Sequence, residues 1–460
     1  MMGKLIVVGA LVLLTIATTL MPGEQVKEDE GGRLNVILIS MDTLREDRVD
    51  CDDGRAFLTP NICAFAEDGI YFKNCIAQAP NTLPSHASIF TSMIPEHHRA
   101  NYRLKRMMAP EIKTLTETLS EAEYKTIGFT EGGQISKEIF GRGFDQYYDD
   151  GRGADYVFNK SIEWIKENRE GNFFMFLHTY ETHTPYAPTP EYAELVERGY
   201  NGSLPRVITA KMLHQFNRLR KKNQSDIDHI IDMYDANVMM MDDDFRRFIL
   251  GLKELGAYDD TLIIFTSDHG EEFNEHGIVG YHGHTLYNEL LRVPLIVKLP
   301  GNRNKGLIKK EIVRSIDIAP TILDVLGVGI PKYYEGDSLL GLIKNGLWNV
   351  RYAVSESDGS KCPNAIQDGE WKYYCGRLYR VGLDYWEKEP MKTKFKDEYM
   401  RITGVLEDWL MYRIPDKQGP YKPIKDVSIE SFSTNGNLSS ATNRLPQEAV
   451  EKLKALGYVV

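Results

Sequence analysis

Four short, unbroken apolar runs constrain this chain most. They are Asn35–Met41 (NVILISM), Phe173–Tyr180 (FFMFLHTY), Thr261–Thr266 (TLIIFT) and Val293–Leu299 (VPLIVKL). Each is too short to cross a membrane and lacks the alternation of a half-exposed strand, so each reads as a strand buried on both faces. Such strands belong to α/β sheets with helices on both sides. Ile70–Ile76 and Lys125–Thr130 add two more strands. Pro60–Asp68, Ile112–Glu121, Tyr156–Asn168 and Ile316–Leu326 read as helices. Ser225 opens a long amphipathic helix, with Ile227, Tyr234, Met241 and Phe248 on one stripe. Residues 187–224, rich in proline and carrying the basic cluster Arg218 to Lys222, read as an insertion over one face. Beyond Gly336 the pattern changes. Tyr352–Ser355, a hairpin around Asp368-Gly369, and Tyr379-Arg380 predict a smaller antiparallel sheet. Pro446–Leu456 reads as a closing amphipathic helix, residues 385–445 show no clear pattern, and no internal repeat is present.

A length of 460 residues suits one large α/β domain with additions. The net charge of −11, with no long basic run, argues against a nucleic-acid partner. Residues 1–23 stand apart: Lys4 precedes an apolar run from Leu5 to Met21. The run is long for a signal-peptide core and slightly short for a span, so it reads as an export signal or an N-terminal membrane anchor. Either places the rest of the chain outside the cytoplasm. Residues 24–33 read as a linker, 34–345 as the catalytic domain and 346–460 as a C-terminal subdomain. There are five cysteines. Counting outward from Asp368-Gly369 as a two-residue turn pairs Gln367 with Glu370 and Cys362 with Cys375, which export would allow to form a disulfide. Cys51, Cys63 and Cys75 lack compact metal spacing and are expected as packed or free thiols.

Three of the central strands end in groups able to bind a metal or an anion: Asp42, His183, and Asp268 with His269. A fourth loop, NTLPSHASIFTS (81–92), sets Thr82 at the start of a helix. There, free N–H groups and the macrodipole favour an anion. His282-Gly283-His284 precedes another strand. Taken singly, each reads as easily as a cap or a satisfied polar group; at one sheet edge they form a constellation. Open α/β sheets bind ligands at that edge. Two carboxylates, an imidazole and a hydroxyl (Asp42, Asp268, His269, Thr82) suit one hard or borderline divalent cation. His183 and His284 are placed to contact non-bridging oxygens or protonate a leaving group. The chemistry implied is in-line displacement at phosphorus or sulfur, through a covalent intermediate on Thr82.

These stretches resemble the sulfatase family, within the alkaline phosphatase superfamily. The matching segments include NVILISMDTLREDRV, TPNICAFAEDGIYFKNCIAQAPNTLPSHASIFTSMIPEHH, HTPYAPTPEY, TLIIFTSDHGEEFNEHG and YHGHTLYNELLRVPLIVKLPG, in family order. The resemblance implies an α/β/α sandwich around a large mixed sheet, with a smaller C-terminal α+β subdomain. It implies metal ligands at Asp42, Asp268 and His269, a nucleophile at Thr82, and substrate contacts from His183 and from His284, the latter where Lys is common. It also implies one divalent metal ion, calcium before manganese, magnesium or zinc. The substrate implied is a small-molecule, glycan or lipid ester.

The sequence departs from the family pattern at several positions. Thr82 stands where the family has the Cys or Ser that becomes formylglycine, and oxidising threonine would give a ketone, so formylglycine is not expected. His86 replaces the usual Arg, and Thr43 the second Asp. The usual Lys and His are replaced near Phe129 and Glu131. Thr179 stands where two-metal relatives carry Asp, which favours one metal. Threonine nucleophiles of the superfamily act on phosphoesters. A metal-dependent hydrolase of sulfate or phosphate esters is therefore expected. The alternatives are a phosphodiesterase or phosphonate hydrolase, a phospho-head-group transferase, or a non-catalytic anion-binding protein.

Overall fold

A computed structural model describes residues 34–411, apart from 50, 52–56, 102–107, 351, 358 and 392–394. The expectations for residues 1–33 and for the helix at Pro446–Leu456 lie outside the described residues. All four apolar runs form strands. In chain order the large sheet holds β1 (Asn35–Met41), β2 (Ile70–Ile76), β3 (Lys125–Phe129), β4 (Gln146–Tyr148), β5 (Phe173–Thr179) and β6 (Thr261–Ser267). A two-stranded hairpin, β7 (Glu272–Phe273) with β8 (Val279–Tyr281), follows β6. The large sheet then gains β9 (Arg292–Lys298), β10 (Leu307–Lys309) and β11 (Val313–Arg314). Its order is β10-β2-β9-β6-β1-β5-β3-β4, with β11 also on β2. Only β9 runs against its neighbours: it pairs antiparallel with β2 and β6. The short strands β4, β10 and β11 carry too little apolar patterning to be read in advance.

Alternate residues of β1 enter two separate cores. Ile37, Ile39 and Met41 face the helices Ala154–Glu167 and Gln224–Glu254; Val36 and Leu38 face the helices Thr82–Thr91, Leu115–Glu121 and Ile318–Val325. This is the expected α/β/α sandwich, and it explains why the central runs are apolar without a break. The helix foreseen from Ile112 begins at Leu115. Thr114 caps it, accepting from the Glu117 amide while the Glu117 carboxylate accepts from the Thr114 amide. The stretch 187–224 contributes two helices, Pro190–Val196 and Ala210–Asn217.

The smaller sheet is an antiparallel meander of β12 (Ala353–Glu356), β13 (Asn364–Gln367), β14 (Lys372–Tyr374) and β15 (Arg377–Tyr379). One face packs Val354, Ile366 and Leu378 against Ile402 and Leu406 of the helix Lys396–Met411. Ala353, Ala365 and Tyr379 on the other face meet Ile76, Leu286 and Leu291. Both sheets belong to the compact unit that begins at Leu34.

Two cysteine expectations change. Cys51 and Cys63 form a disulfide, with Cα atoms 5.3 Å apart, where packed or free thiols were expected. The helix Pro60–Glu67 brings Cys63 back to the chain that leaves β1, a juxtaposition that spacing alone does not reveal. Cys75 is the buried thiol foreseen. Cys362 and Cys375 form the other disulfide, but in a different register: Gln367 pairs with Lys372, not Glu370. The turn has four residues because Asp368 Oδ1 accepts from the Glu370 and Trp371 amides. Cys375 then lies beyond β14 at φ 53°, in the bend to β15.

Candidate active site

Register brings the strand ends that carry the candidate residues together. Met41 lies level with Thr179 of β5 and with Ser267 of β6, so Asp42, Tyr180 and Asp268 leave three adjacent strands at one edge. Because β9 is antiparallel to β6, its beginning lies at that edge too, and the His282–His284 loop with it. Because β2 in turn opposes β9, its end delivers Thr82 to the same place. Gly270 completes the approach: its amide donates to Leu290 O, and a Cβ there would meet Glu289 O at 2.0 Å.

Asp42, Asp268 and His269 are fully buried, and each offers a ligand atom within 4.8 Å of the others. In each, the protein holds one polar atom and leaves another unpartnered. Thr82 Oγ1 donates to Asp42 Oδ2 at 3.1 Å, and Asp42 Oδ1 has no partner. The Thr43 amide donates to Asp268 Oδ1 at 3.3 Å, and Asp268 Oδ2 has no hydrogen-bond partner, lying 3.3 Å from His269 Nε2 and 3.7 Å from His86 Nδ1. His269 Nδ1 donates to Gly270 O at 2.8 Å, which leaves Nε2 as an unpartnered acceptor. Three buried, orphaned acceptors converging from two carboxylates and one imidazole fit a divalent cation. Burial lifts both carboxyls above the ordinary range, and Asp42 lifts Asp268 further. A cation between them relieves this cost.

Thr43 stands at φ 59°, uncommon for a β-branched residue. Tyr234 of the long helix clamps it. The Tyr234 hydroxyl donates to Thr43 O at 2.9 Å and accepts from the Arg45 amide at 3.1 Å.

The helix does begin at Thr82, and all ten of its residues are buried. Its first turn is not the open anion cradle expected. The Leu83 amide donates to Gln134 Oε1, the Ser85 amide to Asn81 O, and Pro84 has no N–H. His86, where the resemblance places Arg, packs its ring against Phe176 and His178, with Nδ1 3.7 Å from Asp268 Oδ2. Its Nδ1 bonds Thr82 O at 2.8 Å and its Nε2 meets Ser40 Oγ at 3.0 Å.

His183 is buried at the edge, its Nδ1 donating to Thr184 O at 2.6 Å. Burial pushes it down to about 4, with Asp42 pulling the other way. The His282 imidazole lies against both His183 and His269, its ring edge-on to the first at 5.2 Å and tilted on the second at 4.5 Å. His284 packs on Tyr281, 5.7 Å away. Two residues at this edge were not singled out from sequence. Glu271 accepts from Tyr186 Oη at 3.0 Å and meets His282 Nδ1 at 3.1 Å. His178 lies inside β5, with Nε2 3.4 Å from Asp42 Oδ2. A polar residue on an otherwise aromatic strand face was the available signal for His178; Glu271 gave none beyond its closeness to His269. Glu131, near the replaced Lys and His, binds the Thr179 hydroxyl and the Tyr180 amide.

Known proteins share this architecture. A phosphonate monoester hydrolase of Agrobacterium radiobacter aligns with a TM-score of 0.67 at 20% identity, over 83% of this chain and 95% of that one. A structure solved with its substrate D-glucosamine-2-N,6-O-disulfate aligns with a TM-score of 0.69 at 19% identity, over 84% and 99%. In sequence, a multifunctional alkaline phosphatase superfamily protein of Trinickia caryophylli is 29% identical, over 42% of this chain and 41% of that protein. An N-acetylglucosamine-6-O-sulfatase of Bacteroides thetaiotaomicron is 24% identical over 69% and 72%. The sulfatase family profile matches residues 34–328. From the profile match over most of the chain, and the strand-end site it encloses, the chain belongs to the sulfatase family of ester hydrolases.

Proposed function

We propose that this protein is a metal-dependent hydrolase of sulfate or phosphate esters in which the Thr82 hydroxyl is the nucleophile. The observation that carries this reading is the 3.1 Å hydrogen bond from Thr82 Oγ1 to Asp42 Oδ2, beside three orphaned ligand atoms. A divalent cation bound by Asp42, Asp268 and His269 supplies charge neutralisation and lowers the pKa of a nearby hydroxyl. Asp42 gives the Thr82 proton a destination and points the oxygen lone pair away from itself. His86, bonded to Thr82 O, keeps that residue at the head of its helix. His284 contacts the non-bridging oxygens or protonates the departing alcohol, while His183, neutral with its Nδ1–H given to Thr184 O, presents Nε2 as an acceptor, and water then hydrolyses the Thr82 ester.

Thr82, a hydroxyl where the family uses an oxidised residue, favours phosphoester or phosphodiester substrates. The solved neighbours include enzymes named for phosphonate monoesters and one bound to a sulfated sugar, and both classes are candidates here. The two disulfides support folding outside the cytoplasm, in keeping with an exported or anchored chain. Among the described residues no helix is long and apolar enough to cross a membrane.

The test is a panel of aryl sulfate, phosphate monoester, phosphodiester and phosphonate monoester, each with Ca, Mg, Mn and Zn. Thr82→Ala should lose on the order of a thousandfold or more in turnover, while Thr82→Ser retains a measurable part. Unchanged activity in Thr82→Ala would remove Thr82 from the chemistry. Preference for the sulfate ester would remove the lean toward phosphorus.

A further inference from the structure

Strand β5 carries one side chain that its surroundings do not explain. Phe174, Phe176 and His178 alternate onto the face that meets the helix Thr82–Thr91. His178 is 1% exposed, yet neither of its ring nitrogens has a hydrogen-bond partner. The ring stands edge-on between His86 at 4.9 Å and Tyr180 at 4.7 Å. Burying an unpartnered imidazole is unfavourable, and a phenyl ring would fill the same aromatic face without that cost.

What a phenyl ring would lack is Nε2, which lies 3.4 Å from Asp42 Oδ2. That oxygen has one donor at hydrogen-bond distance, the Thr82 hydroxyl. The anchors of the other two ligands, the Thr43 amide that donates to Asp268 and the Gly270 carbonyl that accepts from His269, are built into the backbone. The Thr82 hydroxyl is different, because it must leave Asp42 when it attacks. Asp42 would then be the one ligand without an anchor.

We propose that His178 is a positioning residue for Asp42: its Nε2–H holds Oδ2, so that Oδ1 stays aimed at the cation while Thr82 reacts. The inference rests on the metal reading above. It requires an approach of about 0.5 Å from the present separation to reach a good N–H···O distance. Outer partners of metal ligands commonly change metal affinity by about 10–100-fold when removed.

The test measures Mn2+ binding by isothermal titration calorimetry to chelator-stripped wild type, His178→Phe, His178→Gln and His178→Asn, with thermal unfolding of each apo protein alongside. His178→Phe should bind about 10–100-fold more weakly while its apo melting temperature is unchanged or higher. His178→Gln, whose amide reaches the same point, should stay close to wild type. His178→Asn, which is too short, should behave like Phe. A folded His178→Phe with wild-type affinity overturns the proposal, as does a folded Gln variant as weak as Phe. Should the Phe variant not fold, the Gln–Asn contrast decides alone. Wild type that binds neither Mn2+ nor, in a parallel titration, Ca2+ defeats the metal reading itself; wild-type binding that no substitution alters defeats only this inference.

Discussion

Gly270 follows the pair Asp268–His269 at the point where two backbones touch. A methyl group there would meet Glu289 O at 2.0 Å, and a carbonyl fixed in the buried stretch Asn288–Leu291 cannot swing aside as a side chain can. Gly270→Ala should therefore destabilise the protein by on the order of 3 kcal/mol or more, read from denaturant melts. It should also weaken metal binding, because Gly270 O orients His269. A variant as stable as wild type would mean that the 288–291 segment can retreat. That Asp42, Asp268 and His269 would meet was readable from the chain. The partition of each ligand into a held atom and an orphaned one was not, because the holding groups come from Thr82, Thr43 and Gly270 in three separate segments. Nor was the ordering of the imidazoles, which sets His282 over His183 and His269, and His284 against Tyr281.

At the scale of elements, the helix Thr82–Thr91 is tied down partly by a buried histidine from the short helix after it. His98 Nε2 donates to Ser88 Oγ at 3.0 Å, and Nδ1 accepts from the Ala100 amide at 3.0 Å. Burial pushes this imidazole down from 6.5 to about 3, and His97 adds to the shift. The folded state therefore refuses a proton that the unfolded chain accepts. The stability this contributes is present above pH 6.5 and is lost as pH falls toward 3, at up to about 1.4 kcal/mol per pH unit. Denaturant melts at pH 7.5, 6, 5 and 4 should show that decline, with a shallower slope in His98→Gln. A flat profile from pH 7 to 5 would contradict it. The helix itself was legible from its apolar spacing and Pro84. The occupation of its first N–H groups was not, since Gln134 reaches Leu83 from 51 residues away.

At the scale of the whole molecule, two disulfides brace separate regions, one beside β1 and one in the smaller sheet. They span separations of 12 and 13 residues, for which loop-closure entropy assigns about 3 kcal/mol each. Cys362→Ser with Cys375→Ser should lower the melting temperature by several degrees without altering metal affinity, because that bridge lies in the meander and not among the ligands. Loss of metal binding in this variant would show that the smaller sheet supports the site directly.

Which segments become central strands, and which residues sit at their ends, follows from the local pattern of the chain. Burial on both faces demands unbroken apolar runs, and that signal is local, so it needs no knowledge of partners. Tertiary structure decided which ends meet. Had β9 run parallel to β6, the His282–His284 loop would lie at the far edge of the sheet from Asp42 and Asp268. Its direction, the Cys51–Cys63 pairing and the four-residue turn at Asp368 all depend on partners distant in the chain. Strand direction and register come from pairing across the sheet, and an apolar run reads the same in either direction.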